Sequence, residues 1–148
     1  MKPAAMLAVA AAVSTLAPAA MAAEFKSVGA APAIMYDAPS ERGRKVFVAP
    51  RGMPVEVVLS YGEWTKVRDA SGDLSWVEAK TLDSRRHVLV NVPGAKVHSA
   101  PDEGSAVVFT AEKGVLLDLS EPISSGWIRI RHRDGQGGYI RAADVWGD

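Results

Sequence analysis

Two short stretches hold the residue types best suited to gripping a ligand, and they are built alike. Trp64-Thr65-Lys66-Val67-Arg68 and Trp127-Ile128-Arg129-Ile130-Arg131 each set an aromatic ring and two cations at alternate positions. If each stretch is a strand, alternation sends Val67, Ile128 and Ile130 inward. It then groups Trp64, Lys66 and Arg68 on the opposite face, and likewise Trp127, Arg129 and Arg131. A flat apolar ring beside ammonium or guanidinium groups suits an extended ligand with carboxylates, such as a wall peptide or a partner's acidic segment. A second reading stays open and weighs more in a small unit with few places to bury an indole. In it each Trp lies under the loop from Tyr36 to Pro50, or its counterpart, and the cations only keep the sheet soluble.

Catalytic chemistry finds no foothold. The chain has no Cys, so no thiol nucleophile and no disulfide is available. The three histidines, His87, His98 and His132, show neither HExxH nor HxH spacing. There is no Gly-x-Ser-x-Gly elbow and no phosphate-binding Gly loop. Asp69-Ala70-Ser71-Gly72-Asp73 has two carboxylates and a Gly but not the spacing of a calcium loop, and it reads as a hairpin turn. The expectation is a protein with no enzymatic activity, no metal and no cofactor.

The elements that must position these groups are stated twice. Ala38-Pro39 matches Ala100-Pro101 and Gly52 matches Gly114, at an offset of 62. Trp64 matches Trp127, Arg68 matches Arg131, Gly72 matches Gly135, Trp76 matches Tyr139 and Ala79 matches Ala142, at 63. One residue was therefore inserted between Gly114 and Trp127, and one fold is used twice. Each copy is a series of short β-branched or aromatic runs: Val46 to Val48, Val55 to Leu59, Trp64 to Arg68 and Ser75 to Val77. The second copy has Val107 to Phe109, Val115 to Leu119, Trp127 to Arg131 and Tyr139-Ile140. Turn formers separate the runs, among them Pro50-Arg51-Gly52, Ser60 to Glu63 and Asp134-Gly135. Glu78 to Lys80 and Arg141 to Asp144 each suit a single helical turn. Ser84 to His87 reads as a linker, and Val88 to Val92 as a strand opening the second unit. Short strands without an amphipathic helix predict an all-β protein of two small barrels, each about 60 residues and marginal alone, which favours packing of one on the other.

Residues 1–22 read as an address. Lys2 precedes an apolar run from Ala4 to Leu16, and Ala20-Met21-Ala22 supplies the small residues of a signal-peptidase site, with cleavage after Ala22. The run is shorter than the roughly 20 residues needed to cross a bilayer, and no other stretch is apolar enough. This predicts repeat 1 over 23–83 and repeat 2 over 84–148, with no membrane span after cleavage. Of 17 basic and 17 acidic residues, loss of Lys2 leaves a net charge of minus one, which argues against a nucleic-acid binder.

The ordered set resembles the bacterial SH3-like (SH3b) family. It comprises Ala-Pro after a short strand, a loop ending in Gly before a Val/Leu strand, Gly/Glu-Trp-x-x-Val/Ile, a hairpin, and an aromatic-Val/Ile near the end. The resemblance covers nearly all of the chain after residue 22, in two tandem copies, and implies an SH3-type barrel in each. It departs at Ile34-Met35-Tyr36 and Lys96-Val97-His98, where many members have Leu-Asn-Val-Arg, so no ligand contact of that Arg carries over. It also implies a groove in repeat 1. Tyr36-Asp37 stands where eukaryotic SH3 domains have the Tyr-Asp of their loop start, and Trp64 where they have the groove tryptophan. Asp37 and Glu41 would then flank a site for an extended or Pro-rich peptide. His98 and Ser99 replace Tyr36 and Asp37 in repeat 2, which weakens that groove. Trp76 and Tyr139 are expected in the core. The cysteine-histidine peptidases often fused to such domains have no counterpart here. Two functions are implied nearly level: a module binding peptidoglycan peptide or glycan, or one docking on another envelope protein. The expected location is the periplasm, with secretion as the alternative.

Overall fold

The computed structural model describes residue 17 and residues 22–148. The export segment expected over residues 1–22 lies, apart from residues 17 and 22, outside the described residues. The first copy forms β1 (Phe25–Val28), β2 (Ala33–Tyr36), β3 (Lys45–Ala49), β4 (Pro54–Tyr61), β5 (Trp64–Arg68), β6 (Leu74–Glu78) and β7 (Leu82–Asp83). The second forms β8 (His87–Val90), β9 (Ala95–His98), β10 (Val107–Ala111), β11 (Leu116–Ser124), β12 (Trp127–Arg131), β13 (Gly137–Arg141) and β14 (Val145–Trp146). The two helical turns expected near the repeat ends are 3-10 turns, Ala79–Thr81 and Ala142–Asp144, and no α-helix occurs among the described residues.

The fold is all-β, as the sequence predicts, but the barrels are not closed. Each copy is an open antiparallel run of seven strands, ordered β3-β2-β6-β5-β4-β1-β7 and β10-β9-β13-β12-β11-β8-β14. The end strands of each run are not hydrogen-bonded to one another. Irregular register between Met35 and Tyr36, and between Val107 and Phe109, twists the β2–β3 and β9–β10 hairpins away from the rest. Their outer strands stay exposed along most of their length.

At the centre of each sheet is a three-strand meander whose turns are written in the sequence. Ser125 and Gly126, at φ 54° and 82°, join β11 to β12 by a two-residue turn with both positions left-handed, and Gly62 at φ 57° opens the matching turn in repeat 1. β4 and β11 run further than expected, through Tyr61 and Ser124. The inserted residue lies in a bulge of β11, where Glu121 faces Arg129 and Ser124 faces Trp127, so three steps on one strand span two on the other. Pro122, which has no N–H to give the ladder, falls in that bulge. In repeat 1, Leu59, Ser60 and Tyr61 face Lys66, Thr65 and Trp64 one for one. Tyr61 therefore corresponds to Ser124.

Alternation delivers the inward set as predicted. Val67 and Thr65 are buried on β5, and Ile128 and Ile130 on β12. The two cores distribute their volume differently. Repeat 1 has Val55, Thr65, Val67 and Val77 where repeat 2 has Leu117, Ile128, Ile130 and Ile140, while Met35, Met53 and Leu82 are larger than their counterparts Val97, Val115 and Val145. Each missing methylene forgoes roughly 0.8 kcal/mol of burial. The expected core positions of Trp76 and Tyr139 are overturned. Ser75, Val77, Gly138 and Ile140 take the inward places, so by alternation both rings lie half-buried on the opposite face.

The copies meet through the linker and the strands that open and close the fold. Phe25 of β1 stands edge-on to Trp146 of β14 with centroids 5.1 Å apart, and the Arg86 guanidinium lies 5.5 Å over the Phe25 ring. Arg86 also donates to the Gly147 carbonyl at 2.7 Å. Arg85 and His87 both reach Asp118 of β11, each at 2.8 Å.

Two substitutions test this packing. A Cβ at Gly138 would stand 2.6 Å from the His98 carbonyl oxygen and 2.7 Å from Val97 Cγ1, so Gly138→Ala is expected to cost about 2 kcal/mol in a denaturant titration. Trp146→Ala is expected to cost about 1–3 kcal/mol and to open the Arg85-Arg86 bonds to trypsin, read by limited proteolysis.

Candidate functional site

The outer face of repeat 1 is built by β4, β5 and β6. Cross-strand register sets Lys66 opposite Trp76, Trp64 opposite both Tyr61 and Glu78, and Leu59 beside Lys66. Lys66 Nζ stands 5.8 Å over the Trp76 ring, and Tyr61 meets the same ring edge-on at 6.4 Å. Tyr61 is 65% exposed, and Leu59 is exposed on the same strand. The result is a set of neighbouring rings with one ammonium over the Trp76 ring.

Trp64 is half-buried and stands edge-on to Tyr36 at 5.4 Å. Tyr36, paired with Trp76 in the sheet, is itself only 5% exposed, so it supports the tryptophan more than it meets solvent. Asp37 closes the loop from 37 to 44. One carboxylate oxygen accepts from the Arg44 N–H at 2.8 Å and the other faces Arg44 Nε at 3.6 Å. Glu41 is exposed on that loop. Lys80 pairs with Glu78 at 3.1 Å, and that hydrogen bond raises its pKa above the ordinary lysine value, with smaller contributions from Glu41 and Glu63. Glu78, opposite Trp64 in the sheet, thus holds Lys80. Arg68, at the far end of β5, is held by Glu56 at 3.0 Å.

Repeat 2 keeps the scaffold and changes the surface. Trp127 stands edge-on to His98 at 5.3 Å, repeating the Trp64–Tyr36 pair with another ring. The His98 Nδ1 lies 3.1 Å from the Ser105 carbonyl oxygen. Arg141 lies 5.4 Å over the Trp127 ring and is paired with Glu103. Arg129 is paired with Glu121 at 2.8 Å, and that hydrogen bond raises the guanidinium's pKa above the ordinary arginine value. Arg131 is exposed at the end of β12, between Gly137 and Asp118. Glu121 takes the place of Leu59 and Ser124 that of Tyr61, so ion pairs stand where repeat 1 has rings and aliphatics.

The structure therefore brings Trp64, Lys66 and Tyr36 together with two rings that the sequence reading did not assign to the site. Tyr61 was read as part of a turn. Continuing the alternation two residues beyond Leu59 would have set it on the same face. Among the described residues, no group of three or more His, Cys, Asp or Glu side chains is arranged to hold a metal. No helix among them is long and apolar enough to cross a membrane.

Two open seven-strand sheets, each with a central meander and a 3-10 turn before its last strand, define a tandem pair of SH3-like units. The chain belongs to the bacterial SH3 domain family, whose model matches residues 29–84 and again 91–147. Among curated proteins none is detectably similar to it in sequence. Among solved structures it is similar to NlpC1 from Trichomonas vaginalis, at 14% identity and a TM-score of 0.40 over 89% of this chain and 48% of that one. It is also similar to an NlpC/P60 family protein from Bacillus cereus, at 18% identity and a TM-score of 0.38, covering 82% and 55%. The chain spans about half the length of each of these proteins.

Asp37→Ala is expected to free the 37–44 loop, because the Arg44 N–H loses its acceptor. Amide hydrogen exchange at Arg44 should speed up at least about fivefold, with a cost of about 1 kcal/mol in global stability.

Proposed function

We propose that this protein is an exported, non-catalytic module that recognises a cell-envelope ligand, peptidoglycan peptide or glycan, through the outer face of its first repeat. The proposal takes residues 1–22 as a removed signal, 23–83 and 84–148 as the two repeats, and the periplasm as the place of action. The observation that carries it is the exposed Tyr61 beside the half-buried rings of Trp76 and Trp64, with Lys66 over the Trp76 ring. Flat rings on a rigid sheet stack on the apolar faces of sugars or along an extended peptide, and Lys66 supplies a charge for a carboxylate. Trp127, Arg129 and Arg131 contribute less in this reading, since Arg129 is already paired and no tyrosine stands opposite Trp127.

A second reading, docking on another envelope protein, draws support from the exposed apolar strand β3, where Val46, Phe47 and Val48 all face solvent.

Sedimentation of the purified protein with isolated peptidoglycan sacculi separates the two. Tyr61→Ala and Lys66→Glu, both at positions that carry no core packing, are expected to weaken sedimentation about tenfold each, equivalent to roughly 1.4 kcal/mol, without moving the thermal midpoint. Trp127→Ala should have a smaller effect. If the native protein stays in the supernatant, wall recognition is wrong and the docking reading takes its place; if both repeat 1 variants sediment like the native protein, this face is not the wall-binding site.

A further inference from the structure

The first repeat holds an open space beside its core. A cleft of about 600 Å³ opens at one end of the first sheet's inner face, between β3, the β5–β6 hairpin and Leu89 of β8. That volume is in the range of sites that hold a ligand. Its apolar lining includes Met35, Met53, Phe47 and Leu74.

The chain supplies its own control. Phe47 pairs with Met35 and Phe109 with Val97, so the two phenylalanines hold equivalent places. Phe109 packs against the core of its repeat, and the His132 ring stands 6.0 Å from it. The residue matching His132 is Asp69, whose Oδ1 instead accepts from the N–H groups of Ser71 and Asp73 within its own hairpin. Phe47 is left 50% exposed at the mouth of the cleft.

Two further features specify what fits there. β3 ends its sheet and pairs only with β2, so one side of its backbone offers unpaired N–H and C=O groups beside the cleft. An exposed apolar edge of this kind accepts an added strand. The charged lining is unbalanced: Asp37, Asp69 and Asp73 against Arg44 alone, and Arg44 already faces Asp37. Neither Asp69 nor Asp73 has an ion-pair partner among the described residues.

We infer that the cleft of the first repeat is a second docking site, for an extended, lysine- or arginine-bearing segment of a partner protein that adds to the β3 edge. Alternate apolar side chains of that segment enter over Phe47, Met35 and Met53, and its cations meet Asp69 and Asp73. This site shares no residue with the rings on the outer face, so the two stand or fall separately. A glycan fits it poorly, because aliphatic and thioether groups make the floor and Phe47 is the one aromatic ring in the lining.

The test is retention of the full-length protein on an array of nine-residue peptides in which varied apolar residues alternate with threonine between lysine pairs. The same array with glutamates for lysines is printed beside it. Retention is expected on the lysine array and not on the glutamate array. Phe47→Ser and Asp73→Lys should each lower it about tenfold, with far-ultraviolet circular dichroism and thermal midpoint unchanged. If Phe47→Ser is unfolded, Asp73→Lys, at an exposed hairpin position, decides alone. Equal retention on both arrays, retention on neither, or folded variants that bind like the native protein would overturn the inference. So would a concentration-dependent dimer in sedimentation velocity that Phe47→Ser dissociates, since a second copy would then own the edge.

Discussion

Everything on this molecule's surface depends on the pairing register of the strand that begins with tryptophan in each repeat. β5 and β12 are central strands, paired on both sides, and a slip of one residue would exchange Thr65 and Val67, or Ile128 and Ile130, for their charged neighbours. Taking Lys66 or Arg129 into a core this small would cost more than the core contributes. Short turns with left-handed residues at Gly62 and at Ser125-Gly126 fix that register. The rows of rings and cations on the outside follow from what must be inside.

Within that constraint the two copies have moved apart in complementary directions. Repeat 2 fills its interior with Leu117, Ile128, Ile130 and Ile140 and covers its outer face with ion pairs, which favours stability and solubility. Repeat 1 keeps smaller residues at those core positions, a set of neighbouring rings outside and an open cleft within. The difference on the outer face is one of residue type: Ser124 rather than an aromatic stands opposite the strand-opening tryptophan. Duplication lets one copy hold the fold while the other carries exposed apolar surface.

Much of this was legible in the sequence. The repeat, the meander strands, the inward set and the aromatic-cation grouping follow from spacing and alternation alone, because period-two patterning reports directly on which face a side chain takes. Closure was not legible. Whether seven short strands meet around a barrel depends on the bulges beside Met35 and Phe109 and on how far each edge hairpin twists, which no residue type announces. The places of Trp76 and Tyr139 were misread for a related reason: large aromatics suggest burial, but Val77 and Ile140 next to them had the stronger claim to the inner face. The loop role of Asp37 and the cleft beside Phe47 depend on contacts between residues distant in the chain, which composition cannot show.

The clasp of Phe25 on Trp146 joins positions separated by nearly the whole described chain. The strand pairings within each sheet close far shorter loops, so the contact is expected to form after both sheets. Besides the few residues between β7 and β8, the copies are also tied by Arg86, over the Phe25 ring and on the Gly147 carbonyl, and by packing of β4 beside β8. The fixed span of the pair therefore rests on a few contacts at its seam, and loosening them would let the two outer faces turn relative to one another.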